Sequence, residues 1–173
     1  MVNKKAYFEK LLLRTERLGI DSLISYLRTK TDFYTTPAST RFHGSCEGGL
    51  LHHSLDVYGH MQTLIYAYAD NDILQDDIKS DSVILCSLLH DICYVVKDHF
   101  PIGHGEKSVI LLQRFIELHD DEIMAIRWHM GGFDEAARGG FAASNAMASA
   151  MEQCNLAVLL HMADLAATYF GEA

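Results

Sequence analysis

The sequence predicts an all-α protein, a compact helical bundle built from a single domain. Three observations predict it. Apolar residues recur at helical spacing through most of the chain, no stretch shows the alternation of a half-buried strand, and only 2 prolines occur. Hydrophobic residues make up 49% of the chain and charged residues 21%, which is ordinary globular composition. A length of 173 residues fits one domain with one sizeable core.

The N-terminal part of the chain shows three helical patterns. Residues 4–18 carry a broad apolar stripe, and a second short helix follows in which Asp21 is a candidate cap. Residues 30–49 are polar and contain one proline and three glycines, so they are predicted to be a long loop of the kind that often serves function. The strongest helical pattern covers 50–68, where apolar side chains recur at spacings of three, four and seven.

The C-terminal part alternates turns and helices. Residues 70–81 are acidic and predict a turn, and the nearly continuous apolar run 82–91 favours a buried helix over a strand. Helices are predicted over 106–118 and 122–130, the second ending at a pair of glycines. Residues 131–143 are rich in glycine and alanine and are predicted to be mobile. The last predicted helix covers 155–169 and is apolar on nearly every side.

Charge and cysteine usage restrict the environment and the partners. A net charge of −9 argues against a groove for extended nucleic acid, which needs clustered lysine and arginine, although a local basic pocket for one phosphate stays compatible. The four cysteines form no CxxC pair, and the chain begins without a charged segment followed by an apolar run. No apolar run reaches about 18 residues. These features predict a cytoplasmic protein with free thiols and no membrane span, and they leave its oligomeric state open.

Polar side chains occur where the helical patterns place the core. In the helix over 50–68, His53 and His60 lie at the edge of the apolar stripe, whereas His52 points away from it. His53 is therefore the better candidate for an inward role, the alternative being a core histidine bonded to a backbone carbonyl. Burying a polar group without a partner costs free energy, so each such position requires an explanation.

Further polar positions follow along the chain. His90 and Asp91 end the apolar run 82–91, where a buried carboxylate needs a metal ion or an arginine unless the helix emerges into water. Asp164 lies in the middle of the apolar last helix and shares a face with His161. His161 could donate or accept a hydrogen bond that orients a metal ligand.

Two more histidines complete the set. His104 lies between two glycines, and His129 ends the helix predicted over 122–130. Imidazole and carboxylate ligands suit zinc, iron, manganese or nickel. The scattered positions together therefore predict a site for a divalent transition metal, although spacing alone does not show that they converge.

The order of these residues resembles the HD-domain superfamily of metal-dependent phosphohydrolases. The matching stretches are Gly-Gly-Leu-Leu-His-His-Ser-Leu at 48–55, Leu-Leu-His-Asp-Ile at 88–92 and His-Met-Ala-Asp at 161–164. The first stretch maps the family's ligand onto His53, in agreement with the helix-face argument. The stretches 101–108 and 126–129 look like the extra histidines of the six-ligand, dinuclear subset, which includes small HD proteins of bacteria and mobile elements.

The resemblance implies a fold and a cofactor. The fold is an HD-type bundle over residues 1–173, with N-terminal helices in 1–30 packed on a metal-binding core in 40–170. The cofactor is one or two divalent transition-metal ions. By the resemblance, one ion takes His53, His90, Asp91 and Asp164. The other takes Asp91, His104 and His129, so that Asp91 bridges the two ions and is the expected catalytic residue.

The resemblance also implies an activity, the hydrolysis of a nucleotide or another small phosphate ester by a metal-activated water. Candidates to orient that substrate are Arg41, His43, Lys97 and Lys107, each of which could equally be a solvated surface charge. Many hydrolytic members have a lysine three residues after the motif aspartate. Here that position is Tyr94, and Lys97 is a candidate substitute.

Two other functions remain open at this point. Some HD-fold enzymes with the same six ligands hold two irons and use oxygen to cleave carbon–carbon or carbon–phosphorus bonds. These enzymes lack the lysine, so Tyr94 favours this alternative. The third function is non-catalytic: a metal-stabilised domain that binds a nucleotide.

Overall fold

The computed structural model describes residues 3–38, 44–69, 74, 78–95, 103–134 and 138–170. Within these ranges the chain forms eight α-helices and no strand, so the all-α prediction is confirmed. The helices are α1 (Lys4–Leu13), α2 (Ile20–Thr29), α3 (Gly49–Ala69), α4 (Ser80–Leu89), α5 (His104–Leu112), α6 (Asp120–Trp128), α7 (Phe141–Gln153) and α8 (Asn155–Phe170). Short 3₁₀ helices cover Ile92–Val95 and Gly131–Phe133.

Helix α3 lies at the centre of the bundle, where it packs against α4 and α8, while α6 packs against α8 and α5. Its apolar stripe is buried as the periodicity predicts, with Leu50, Val57 and Met61 fully enclosed. Helix α4 is buried on all sides, in line with its continuous apolar run. Helix α1 packs on α3 and α4 and contributes Phe8 to the same core. The division into residues 1–30 and 40–170 stays a prediction.

Several helix ends differ from those that the sequence predicts. Helix α1 ends at Leu13 rather than 18, and Leu18 is 95% exposed instead of lying on the apolar stripe. The chain turns there because Glu16 adopts a positive φ of 52° and Arg17 bonds to distant carboxylates. Asp21 lies in the first turn of α2, where it favours the positive helix end, but the capping position is Gly19.

Two further segments also differ. Helix α5 ends at Leu112, six residues before the predicted end at 118, because the chain continues as a turn that brings Phe115 against Tyr26. Residues 141–143, predicted to be mobile, begin helix α7. Ala150 is the one buried residue of that helix, so its sequence needs no periodic apolar stripe and shows little of one. The helix is favoured instead by its five alanines, which have high intrinsic helix propensity.

The N-terminal ends of α4, α6 and α8 meet around a cavity of about 190 Å³, lined by Ser82, Asp120 and Asn155 among others. Beside it, the fully buried Glu122 accepts hydrogen bonds from Arg17 (2.5 Å) and from the Ser82 hydroxyl (2.7 Å). This network fixes the starts of α4 and α6. Four of the polar residues singled out by the sequence lie further along these three helices or directly after them, away from this cavity: His90, Asp91, His129 and Asp164.

None of the described helices combines the length and the apolar character needed to cross a membrane. All four cysteines are free, Cys46 at the surface and the other three buried.

Candidate metal centre

Five segments of the chain deliver ligand-type side chains to one place. Helix α3 carries His53, α5 begins with His104, and α8 carries Asp164 in its interior. The remaining three stand directly after helices, His90 and Asp91 after α4 and His129 after α6. Three groups have ligand atoms that all lie within 4.8 Å of one another: His53 with His90 and Asp91, His90 with His129 and Asp164, and Asp91 with His104 and His129.

The two oxygens of Asp91 face different histidines. Its Oδ2 lies 3.9 Å from His53 Nε2 and 3.6 Å from His90 Nε2. Its Oδ1 lies 2.5 Å from His104 Nε2 and 3.2 Å from His129 Nε2. The carboxylate therefore separates the cluster into two groups while belonging to both.

Asp164 completes the group on the Oδ2 side. Its Oδ1 lies 3.1 Å from His53 Nε2 and 3.9 Å from His90 Nε2. Two ligand atoms that are each about 2.1 Å from one ion lie about 3.0 Å apart at a right angle and about 3.4 Å apart at a tetrahedral angle. The observed separations are equal to these values or slightly longer, so the group fits one cation after a small contraction.

The tautomers of two histidines supply an independent test of whether a cation fits. His90 Nδ1 lies 3.0 Å from the Ser87 carbonyl, and His129 Nδ1 lies 2.7 Å from the Ile126 carbonyl. A carbonyl only accepts, so each Nδ1 carries a proton, and in a neutral ring Nε2 then presents a lone pair. Both Nε2 atoms are buried and have no hydrogen-bond partner among the described residues.

These lone pairs face an acceptor. His129 Nε2 lies 3.2 Å from Asp91 Oδ1, yet neither atom has a proton to share when His129 is neutral. A cation between them would satisfy both, and the carbonyl-bound Nδ1 is the arrangement typical of metal-ligating histidines. The residues present therefore fit a metal ion, and the His/Asp cluster could hold one.

The electrostatics separate the histidines into two kinds. Burial lowers the pKa of His90 to about 4, so this ring is neutral at pH 7. Burial would also lower the pKa of His104, but the charge and hydrogen bond of Asp91 outweigh it and raise that pKa to about 11. For His53 burial opposes the hydrogen bond with Asp164, and the net effect is a raised pKa. The metal-free protein therefore holds a proton at His104 that a cation must displace.

The two carboxyl groups respond to the same neighbours. Burial would raise the pKa of Asp91, but the surrounding imidazoles, His90 and His104 foremost, hold it well below its usual range. Burial would likewise raise the pKa of Asp164, and the hydrogen bond with His53 outweighs it, so the pKa is lowered. Both carboxyl groups are therefore anionic at neutral pH.

One edge of the cluster is open to solvent. The side chain of His104 is 24% exposed, whereas those of His90 and His129 are fully enclosed. Tyr94 is 46% exposed and places its ring edge-on against His104, with centroids 4.9 Å apart. Burial and the charges of Asp91, Cys93 and Asp164 raise the pKa of Tyr94, so it remains a neutral phenol.

The other predicted residues have varied positions. Arg41, His43 and Lys97 lie outside the described residues. Lys107 is half-buried on α5, one turn after His104 and therefore on the same side of that helix. His52 is half-buried and pairs with Asp56 at 3.5 Å, whereas His53 is buried, so α3 turns His53 inwards and His52 outwards, as the helix-face argument predicts.

Sequence reasoning missed some contacts around the cluster. Cys93 Sγ lies 3.3 Å from His104 Nδ1 and is buried beside it. Gly131 leaves room for the ring of His161, whose Nδ1 lies 2.6 Å from the His129 carbonyl. The pair of glycines after His129 was a signal of close approach, but the sequence did not indicate what approaches. Nothing in the sequence placed Cys93 against His104.

Comparison with known proteins adds a family to this geometry. A family model described as HD domain matches residues 50–168, about two thirds of the chain. The match contains all six clustered residues: His53, His90, Asp91, His104, His129 and Asp164. No curated protein and no solved structure matches the chain.

Proposed function

This chain belongs to the HD domain family, and we propose that it is a metal-dependent phosphohydrolase acting on a nucleotide or another small phosphate ester. The observation that supports this function is the sharing of Asp91 between two groups of ligand atoms. We assign His53, His90, Asp91 and Asp164 to one ion, and Asp91, His104 and His129 to a second. Imidazole with carboxylate suits zinc, iron, manganese or nickel, so the donor set leaves the metal open.

Two divalent ions held about 3.5–4 Å apart polarise phosphoryl oxygens and lower the pKa of a bound water towards about 7. The residues of the chain prepare the site for that chemistry. Asp91 would hold both ions, because each of its oxygens faces one group. The enclosed rings of His90 and His129 exclude water from the inner side, which strengthens electrostatic interactions there.

The substrate would be oriented from the open edge. Tyr94 offers a neutral hydroxyl donor there, and Lys107 offers a cation one turn along α5 from His104. Neither side chain has a nucleophilic role, since the attacking group in this chemistry is water. We propose these two as the substrate-orienting groups among the described residues.

The test has two parts. The full chain, purified without chelator or nickel affinity, is analysed for metal and then assayed against a panel of nucleotides and phosphate esters. We expect metal-dependent release of phosphate or a phosphorylated product, abolished by chelation and restored by a divalent ion. The matched control is Asp91→Asn, which should be inactive under every metal condition. A metal-loaded protein that hydrolyses no ester in the panel would refute the proposal.

One observation favours a second function, a di-iron oxygenase of the same fold. Tyr94 occupies the position where the hydrolytic members resembled by this chain have lysine. Iron that cycles its redox state and consumes oxygen with an organic substrate would support this alternative. Nucleotides that protect the protein against heat without turnover would instead indicate a non-catalytic binding domain.

A further inference from the structure

His161 contacts the backbone of His129 across the interface between α8 and the end of α6. Its Nδ1 donates to the His129 carbonyl at 2.6 Å. The carbonyl groups at the C-terminal end of a helix lack partners within that helix, and this one belongs to the residue that follows the last residue of α6. An imidazole side chain thus satisfies the carbonyl of a residue that we assign as a metal ligand.

The turn after His129 is shaped around this ring. Gly131 has a φ of +53°, and a Cβ atom placed on it would lie 2.6 Å from Nε2 and 2.9 Å from Nδ1 of His161. Any larger residue would push the ring away from the carbonyl. The glycine and the hydrogen bond are separate observations that both place the imidazole at this point.

Helix α8 thereby reaches both halves of the centre. Asp164 lies three residues after His161, hence on the same face of α8, and contacts His53 in the first group. His161 contacts the backbone of His129 in the second group. Helix α8 therefore contributes Asp164, an assigned ligand of one ion, directly. It also contacts the backbone of His129, an assigned ligand of the other ion, through His161.

We propose that His161 is a positioning residue that fixes His129 and so sets the affinity of the second metal ion. This inference rests on the proposed ligand groups but not on the reaction. Removing the partner that orients a metal ligand typically weakens metal binding about 10–100-fold. The first ion should keep its affinity, because its four ligands do not include His129.

The experiment is a titration of the chelator-stripped full chain with Co²⁺. Binding is measured by calorimetry and by visible absorption. Two substitutions separate the positions of the donor. His161→Asn keeps an N–H at the place of Nδ1, whereas His161→Gln moves it to the place of Nε2. We expect the second equivalent of Co²⁺ to bind about 10–100-fold more weakly in His161→Gln and within about threefold of the unsubstituted chain in His161→Asn. His60→Gln, a half-buried histidine of α3 outside the cluster, is the matched control.

The melting temperature of the stripped protein supplies the second readout. If His161 has only a structural role, His161→Gln lowers the melting temperature and weakens both equivalents together. Such a result overturns the proposal, as does equal loss in the asparagine and glutamine variants. An unsubstituted chain that binds fewer than two equivalents also overturns it. If the expected pattern appears but no ester is hydrolysed, the proposed reaction fails while the role of His161 stands.

Discussion

Replacement of Asp91 by asparagine should remove both metal ions, because the two oxygens of this residue serve separate groups. On one side Oδ2 lies 3.9 Å from His53 Nε2 and 3.6 Å from His90 Nε2. On the other side Oδ1 lies 2.5 Å from His104 Nε2 and 3.2 Å from His129 Nε2. Asparagine preserves the shape but not the charge, and its amide nitrogen would face one of these pairs as a donor.

The size of the effect follows from this double role. Loss of a partner that only orients a ligand weakens metal binding about 10–100-fold. Asp91 is a direct ligand in both assigned groups, so each ion should bind at least about 100-fold more weakly. That factor corresponds to about 2.8 kcal/mol for each ion. The fold should survive, because asparagine has nearly the same shape as aspartate and opens no cavity at this buried position.

The assay is elemental mass spectrometry on protein purified without chelator or nickel affinity. We expect about two equivalents of transition metal in the unsubstituted chain and close to none in Asp91→Asn. Asp56→Asn is the matched control, since this carboxylate lies on α3 but pairs at the surface with His52. Unchanged metal content in Asp91→Asn would refute the bridging assignment.

Four further predictions concern single side chains. His104→Gln should lose one metal ion per chain and keep the other, so loss of both ions would contradict two separable groups. Because burial is outweighed by Asp91 and the pKa of His104 is raised to about 11, this ring is protonated in the metal-free protein at neutral pH. Below that pKa, each increase of one pH unit should therefore raise the affinity for the second ion by up to about tenfold, and calorimetry should detect proton release on binding. An affinity independent of pH would contradict this prediction. Arg17→Met leaves the buried Glu122 without its charged partner, and it should cost about 3–5 kcal/mol in urea unfolding while leaving metal content unchanged. Tyr94→Lys should raise kcat/KM for phosphate monoesters about tenfold, since a charged donor gains roughly 1–1.5 kcal/mol over a neutral one, and a fall would contradict that role.

Helices that bury a face were predictable from the sequence. Helices α3 and α8 begin and end within one residue of the predicted limits, because their apolar residues face the core at helical spacing. Helix α7 was not predictable in this way, since Ala150 is its one fully buried residue among those the structure describes. The ends of α1 and α5 depend on tertiary contacts, such as the ion pairs of Arg17 with Asp81 and Glu122, that local patterns do not contain.

The candidate site was predictable as a set of residues but not as an arrangement. A histidine or aspartate in an apolar run indicates a buried polar group, and this signal identified His53, Asp91 and Asp164. Their mutual distances depend on the packing of α3, α4 and α8, which the sequence does not specify. The contacts of Cys93 and Gly131 were missed for the same reason, because each joins segments that are distant along the chain. The ligand assignments themselves stay predictions until metal content is measured.

The ends of the helices explain why the two groups should differ in strength. His90 and His129 directly follow the last residues of α4 and α6, and each ring bonds the carbonyl three residues earlier in the preceding helix. The negative ends of both helix dipoles therefore face the cluster, and each favours a nearby cation by about 0.3–1 kcal/mol. Helix α5 has the opposite orientation, because His104 is its first residue and brings a positive helix end to the second group. The positive end of α5 stabilises the anionic form of Asp91 but disfavours a cation in the second group. The second group is also the more exposed one and has fewer assigned ligands, so the ion held by His53, His90, Asp91 and Asp164 should bind first.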